Sequence, residues 1–445
     1  MMSTVYASGW IVTCDDAGTE HKSGWLLVEG GVISAVGSGV EPDADERVAL
    51  GDAVVTPGLV NTHHHLYQTL TRARAQEADL FNWLRELYPV WAGIDAEAEY
   101  AAARTGLAEL ALSGCTTVFD HHYVFPRGRT GLIEAEVQAA RELGVRIVAA
   151  RGSMDLGESA GGLPPDELVE DVDSVLADTE RLMAELHEPG PGARVQIAVA
   201  PCSPFSVSKR LMTESATFAR QHGLTLHTHV AETMEEDAYC MELYGATPIE
   251  YLTDLDWLGP DVWCAHCVHL SVDDAADIAA SLTGVAHCPT SNLRLGAGVA
   301  PVREYLDAGV RVGLGVDGSA SNERGDLLHE VKQALLVARG RGGPRAMTAR
   351  EALRLGTRGG AAVLGRDDIG SLEPGKRADF AVWRTDTLEL GGAADPVAGL
   401  VLSAPHRVDM LVVEGEEVVR GGALVHADES EIAAAHRAQA RRFAA

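Results

Sequence analysis

Cysteine is scarce in this chain, with seven residues in 445: Cys14, Cys115, Cys202, Cys240, Cys264, Cys267 and Cys288. An odd number scattered through apolar segments excludes a disulfide framework and implies reduced thiols. Cys264-Ala265-His266-Cys267 has C-x-x-C spacing but lacks the second pair of a structural zinc site, so it reads as a strand of small buried residues. Basic residues are also few. The 36 Lys+Arg against 65 Asp+Glu give a formal charge of -29, a field that repels phosphate backbones and anionic lipid, so no nucleic-acid partner is expected. No run approaches the ~18 apolar residues of a membrane span, and Met1–Ile11 lacks a charged stretch followed by an apolar core. The expectation is a cytoplasmic protein with no membrane partner.

What the chain does have is apolar material for a large core, 46% hydrophobic against 23% charged, which excludes a disordered or small stapled scaffold. Both ends read as short strands with turn glycines. Val5–Ala7, Ile11–Cys14, Trp25–Val28 and Val32–Val36 lie at one end, and Phe380–Trp383, Met410–Val413 and Glu417–Val419 at the other. Two β-rich ends around a long middle imply that the termini build one small β-sandwich domain together, from 1–58 and 366–427. Residues 428–445 read as an exposed helix rich in Ala, Arg and Glu.

The middle, 59–365, repeats an apolar, β-branched run, a helix-length segment and a Gly or Pro break. Eight such runs occur: Val54–His63, Thr116–His122, Arg146–Gly152, Val195–Cys202, Leu224–His229, Val262–His266, Gly284–Cys288 and Val310–Asp317. Continuous apolar runs alternating with helices predict buried parallel strands, and eight of them predict an α/β fold of the (β/α)8 TIM-like barrel type. A doubly wound open sheet is the competing architecture, but no Gly-x-Gly-x-x-Gly turn follows any run.

Five runs end in a histidine or an aspartate at the C-terminal end of the strand, the catalytic face of such a barrel. The first ends His63-His64-His65. Alternation along a strand puts His63 and His65 on one face and His64 on the other, and two neutral imidazoles on one face suit zinc. Run five gives His227-Thr228-His229 and then Glu232. Run six gives His266, and run eight gives Asp317, a carboxylate costly to desolvate on so apolar a strand unless a cation offsets it.

With these residues in place, the chain resembles the amidohydrolase superfamily, in its cytosine and guanine deaminase-like branch. The resemblance covers nearly the whole chain. It rests on Thr56-Pro57-Gly58-Leu59-Val60-Asn61-Thr62-His63-His64-His65, His229-Val230-Ala231-Glu232, Ala265-His266-Cys267-Val268-His269, Gly315-Val316-Asp317-Gly318 and the stretch Gly370–Asp379. It implies that His63, His65, His229 and Asp317 bind one divalent ion, zinc or alternatively ferrous iron, with His266 beside the activated water. Other branches hold two ions bridged by a lysine on the fourth strand. The only lysines here are Lys22, Lys209, Lys332 and Lys376, none in run four, so a mononuclear site is expected.

A metal with an open position lowers the pKa of bound water toward about 7. Addition of hydroxide to a ring carbon bearing an amino group requires a proton at a ring nitrogen. Glu232, three residues past a ligand, is placed to carry it, while Asp317 and His266 pass the second proton to departing ammonia. Gln68, three past His65, resembles the amide by which guanine deaminases read the purine edge, and an amide suits a lactam. Among Tyr67, Phe81, Trp83, Tyr88 and Trp91, Trp83 is the candidate for stacking on a flat heterocycle. The segments Asn61–Arg72, Asp79–Trp91, Ala200–Ser208 and His287–Gly296 are most similar to the 8-oxoguanine deaminases. Pro201-Cys202-Ser203-Pro204 stands where guanine deaminases tend to carry an arginine, making Cys202 and Asn292 candidate pocket residues.

The expected function is deamination of a free heterocyclic base, 8-oxoguanine to urate plus ammonia. Isoxanthopterin or pterin deamination, guanine deamination and s-triazine hydrolysis are the alternatives on the same scaffold. A non-catalytic ligand-binding barrel is the alternative from another class, but it would show a lost ligand or proton shuttle, and none is lost. A homo-oligomer is compatible with all of this.

Overall fold

Eight short parallel strands close on themselves in the order in which the chain makes them. They are β1 (Leu59–Asn61), β2 (Cys115–His122), β3 (Arg146–Ser153), β4 (Val195–Pro201), β5 (Leu226–Val230), β6 (Val262–His266), β7 (Gly284–His287) and β8 (Arg311–Leu314). The closing pair is β8 with β1, where Leu314 lies opposite Asn61. The eight segments are those marked by the apolar runs, and the closed topology replaces the open doubly wound alternative. Described in this computed structural model are residues 2–444; positions 1 and 445, which end the expected 1–58 and 428–445 segments, lie outside the described residues. Among the described residues no helix is long and apolar enough to cross a membrane.

Every residue of β2 and β3 is buried, as expected of strands covered on both faces. Period-two alternation then divides β2. Phe119 and His121 point into the barrel, where Phe119 packs edge-on against Trp263 at 4.8 Å, whereas Asp120 and His122 point out toward the helices. Three of those helices matter below: α1 (Leu80–Trp91), α2 (Ala96–Leu112) and α3 (Leu132–Leu143). Helix α1 starts at Asp79, whose side chain accepts from the Asn82 amide at 2.9 Å, a common N-cap arrangement. Its apolar residues Leu80, Trp83, Leu84, Leu87, Tyr88 and Trp91 share one buried face, which covers the barrel mouth.

The two ends of the chain meet in one curled nine-stranded sheet. Strand Ala53–Pro57 lies at its centre, parallel to Ser3–Val12 and antiparallel to Phe380–Arg384. Run one, read from sequence as a single barrel strand Val54–His63, is therefore two strands. Ala53–Pro57 belongs to the terminal sheet and only Leu59–Asn61 to the barrel. Gly58 is the crossing point, where a Cβ would stand 2.2 Å from the Thr116 side chain, so only glycine allows the approach.

The terminal helix also differs from the exposed element expected. Glu429–Ala440 and a final turn Arg441–Phe443 bury Ile432 and Phe443. Gln439 donates to Glu97 at 2.7 Å and Arg442 pairs with Asp95 at 2.5 Å, seating the helix on α2 and its cap. On the opposite side of the barrel, buried Arg146 donates to both oxygens of Asp379 at 2.7 and 3.2 Å. Removing one partner of such a buried pair typically costs about 3–5 kcal/mol, so this clasp fixes the barrel floor to the terminal sheet.

Candidate active site

The strand ends at the barrel mouth leave regular geometry abruptly. Ala231 after β5, His266 and Cys267 at the end of β6, and Asp317 after β8 all have left-handed φ, +50°, +71°, +48° and +64°. For residues with a Cβ this backbone costs about 1–3 kcal/mol each and persists only when surrounding bonds impose it. They do: Cys267 N–H donates to Val230 O at 3.1 Å, Val268 N–H to Ala231 O at 2.8 Å, and Asp317 N–H to His63 O at 3.1 Å. The turns swing side chains from β1, β5, β6 and β8 toward one point.

At that point His65 Nε2 stands 3.2 Å from His229 Nε2. His63 Nε2 and His65 Nε2 are each 3.3 Å from Asp317 Oδ1. The other nitrogen of each ring identifies its tautomer. His65 Nδ1–H donates to His121 O and His229 Nδ1–H to Cys202 O, both at 2.7 Å. His63 Nδ1–H donates to His227 Nε2 at 2.9 Å, and His227 Nδ1–H in turn donates to Trp263 O at 3.0 Å. Three Nε2 lone pairs therefore converge beside a carboxylate, and buried His63 Nε2 has no hydrogen-bond partner. Burial holds His65 and His229 well below the ordinary imidazole range, in the neutral form a metal requires.

Lone pairs 3.2 Å apart repel unless a cation lies between them. A tetrahedral ion with bonds of about 2.0–2.1 Å spaces its donors roughly 3.3 Å apart, which is the spacing seen. The residues present thus fit a divalent ion of the zinc or iron type. The carbonyl and imidazole partners on Nδ1 are the second layer that orients ligating histidines and raises their affinity. His227 is part of that layer. Its replacement by leucine should weaken metal affinity about 10–100-fold, while His227→Gln, whose amide accepts from His63 and donates to Trp263, should restore most of the loss. Chelator competition measures both, and equal affinity in wild type and His227→Leu would refute the relay.

Glu232 and His266 face this cluster, with Glu232 Oε2 3.5 Å from His266 Nε2. Burial pushes Glu232 up to about 7 against the pull of His266, a value suited to taking and returning protons near neutrality. Two residues not singled out from sequence hold the turn of Glu232 and the carboxylate of Asp317. Glu236 accepts from the Ala231 and Glu232 amides at 2.9 and 3.1 Å. Ser291 donates to Asp317 Oδ2 at 2.6 Å. His121, also not singled out, stacks on His229 at 4.9 Å. His64 faces away from the cluster toward Gly106 of α2, as alternation requires.

A pocket opens onto Glu232, His266 and Asp317 under α1. Gln68, Trp83 and Cys202 line it. Both polar atoms of the Gln68 amide are buried and unpartnered, and Gly318 makes room for them, since a Cβ there would stand 1.9 Å from Gln68 Oε1. Trp83 spends its indole N–H on Ala320 O at 3.2 Å and offers the pocket only its apolar face. Burial pushes the Cys202 thiol up to about 12, so it presents a neutral S–H. Asn292 is not on the pocket wall; it lies behind His266 and accepts from His266 Nδ1–H at 2.9 Å. Among the described residues that line the cavity there is no lysine or arginine.

The model for the amidohydrolase family matches residues 54–418. Over 428 residues, 95% of each chain, the sequence is 46% identical to an 8-oxoguanine deaminase of Pseudomonas aeruginosa. It is 40% identical over 401 residues, 85% of this chain and 83% of the relative, to an isoxanthopterin deaminase from an unknown prokaryotic organism. Among solved structures, atrazine chlorohydrolase from Arthrobacter aurescens TC1 complexed with zinc superposes with a TM-score of 0.94 at 36% identity, covering 98% of this chain and 100% of that one.

Proposed function

This chain belongs to the amidohydrolase family and is a hydrolase of carbon–nitrogen bonds, and within that family we propose that it deaminates a free purine-like base, 8-oxoguanine, to urate and ammonia. In this reading His63, His65, His229 and Asp317 hold one zinc or ferrous ion at the barrel mouth. When bound, the ion supplies Lewis acidity and lowers the pKa of water toward about 7.

The side chains supply the proton traffic. Glu232 takes a proton from water as its oxygen adds to C2, and delivers it to the adjacent ring nitrogen, N3. His266, held by Asn292, presents Nε2 to the same water. Asp317 then takes the remaining water proton and returns it to the amino group. The C2–N bond breaks, ammonia leaves and C2 keeps the oxygen, so one water is consumed for each ammonia released.

The observation that carries the substrate class is the Gln68 amide. A buried donor and acceptor without partners cost about 1–3 kcal/mol, and the N–H and C=O of a lactam satisfy both at once. The absence of lining cations among the described residues favours an uncharged base over a nucleotide, and the apolar face of Trp83 favours a flat ring. Cys202 offers the remaining polar contact from the residue after β4.

Ammonia release over a panel of 8-oxoguanine, guanine, isoxanthopterin and an s-triazine tests this. A site matched to the C8 carbonyl and its flanking N–H leaves polar groups unpaired around guanine, so kcat/KM for 8-oxoguanine should exceed that for guanine by at least about 10²-fold. Gln68→Leu should weaken turnover of both. Faster turnover of guanine, isoxanthopterin or a triazine would overturn the substrate and leave the aminohydrolase chemistry standing.

A further inference from the structure

The outer face of β2 carries a second concentration of unpartnered metal-ligating atoms, on the far side of the strand from His121. His122 meets Glu99 of α2 and Glu136 of α3 there, and all three are fully buried. His122 Nε2–H donates to Val124 O at 2.8 Å, which leaves Nδ1 as the lone-pair nitrogen. That atom is 3.0 Å from Glu136 Oε1 and 3.5 Å from Glu99 Oε2. Neither Nδ1 nor any of the four oxygens of the two glutamates has a hydrogen-bond donor as partner; the further polar side chain here is another buried carboxyl, Asp120, which faces Glu136 and adds to the acidic charge to be neutralised.

The nearby cation does not resolve this. Arg151 on β3 is committed to Glu170 at 2.9 Å and Asp178 at 3.0 Å. A proton on Nδ1 lies along one direction in the ring plane and serves one carboxylate, leaving the other buried and unpaired, which is costly. A small divalent cation serves all three groups together. The three donor atoms lie within 4.8 Å of one another, and bonds of about 2.0–2.2 Å put donors roughly 3.0–3.5 Å apart. Two oxygens and one imidazole nitrogen suit zinc, and they fall short of the six to eight oxygens calcium takes.

We propose that Glu99, His122 and Glu136 form a second, structural site for a zinc-class divalent cation, which ties β2 to α2 and α3. Because no part of the three side chains reaches solvent, the ion is enclosed as the helices dock on the barrel, and loading occurs during folding. The site is independent of the chemistry at the barrel mouth. It touches the pocket only through packing, since the Tyr67 ring beside Gln68 lies edge-on to His122 at 5.2 Å.

The test is elemental analysis of protein produced in zinc-supplemented medium, with anomalous diffraction at the zinc edge from the same wild-type protein. Two equivalents per chain are expected, with one anomalous peak among Glu99, His122 and Glu136. The double variant Glu99→Gln/Glu136→Gln should lose one equivalent and Asp317→Ala the other. Should the double variant fail to fold, the wild-type anomalous map decides alone. No peak between the three side chains, with a single equivalent in wild type, would overturn the site and assign its neutralisation to protons. Loss of metal in the double variant but not in Asp317→Ala would uphold this site while overturning the one at the barrel mouth.

Discussion

Glu232→Gln should lower kcat by about 10²–10⁴, the range for removing a general acid-base group, with metal content unchanged. The substitution keeps the shape of a side chain packed beside His266 and keeps the backbone bonds of its turn, which Glu236 makes rather than Glu232. What it removes is the ability to accept a proton from water and give it to the ring. Steady-state ammonia release with parallel metal analysis measures both arms. Turnover within a few-fold of wild type would move the shuttle to another group.

Asp317→Ala should abolish measurable turnover and lower the metal content by one equivalent. Its Oδ1 lies 3.3 Å from His63 Nε2 and His65 Nε2, and its Oδ2 is held by Ser291, so in the proposed mechanism a single deletion removes a ligand and a proton carrier together. His64→Asn is the matched control, because His64 turns toward α2. Its metal content should equal that of wild type, and loss there would mean that the face assignment along His63-His64-His65 is inverted.

The barrel was legible because its strands are apolar on both faces and its helices are not, so each strand stands out as a run without period. The terminal sheet was legible from hairpin glycines, but the junction at Gly58 was not, although Thr56-Pro57-Gly58 interrupts the apolar residues with a Pro-Gly pair, a turn signal that a single strand Val54–His63 passes over. The histidines and the aspartate at the mouth stood out because a polar residue ending an apolar run needs a reason.

Their supporting layer was harder to read. His227 shares a face with His229 by simple alternation, so its inward direction was available, but its bond to His63 depends on barrel closure. Asn292 was placed on the pocket wall by likeness of segments, whereas helix Pro289–Arg294 turns it against the back of His266. Glu99 and Glu136 lie 37 residues apart on separate helices, and only the docking of both helices on one strand brings them to His122.

The central position of Ala53–Pro57 in the terminal sheet imposes an order on synthesis. That strand emerges from the ribosome early, yet its neighbour Phe380–Arg384 is translated only after all eight barrel strands. At about 5–20 residues per second, the first strands must wait tens of seconds with an unpaired edge, the kind of surface that recruits other chains. A barrel that forms during synthesis therefore forms beneath an unfinished sheet, and closure of that sheet by the last translated strands is a late, long-range step.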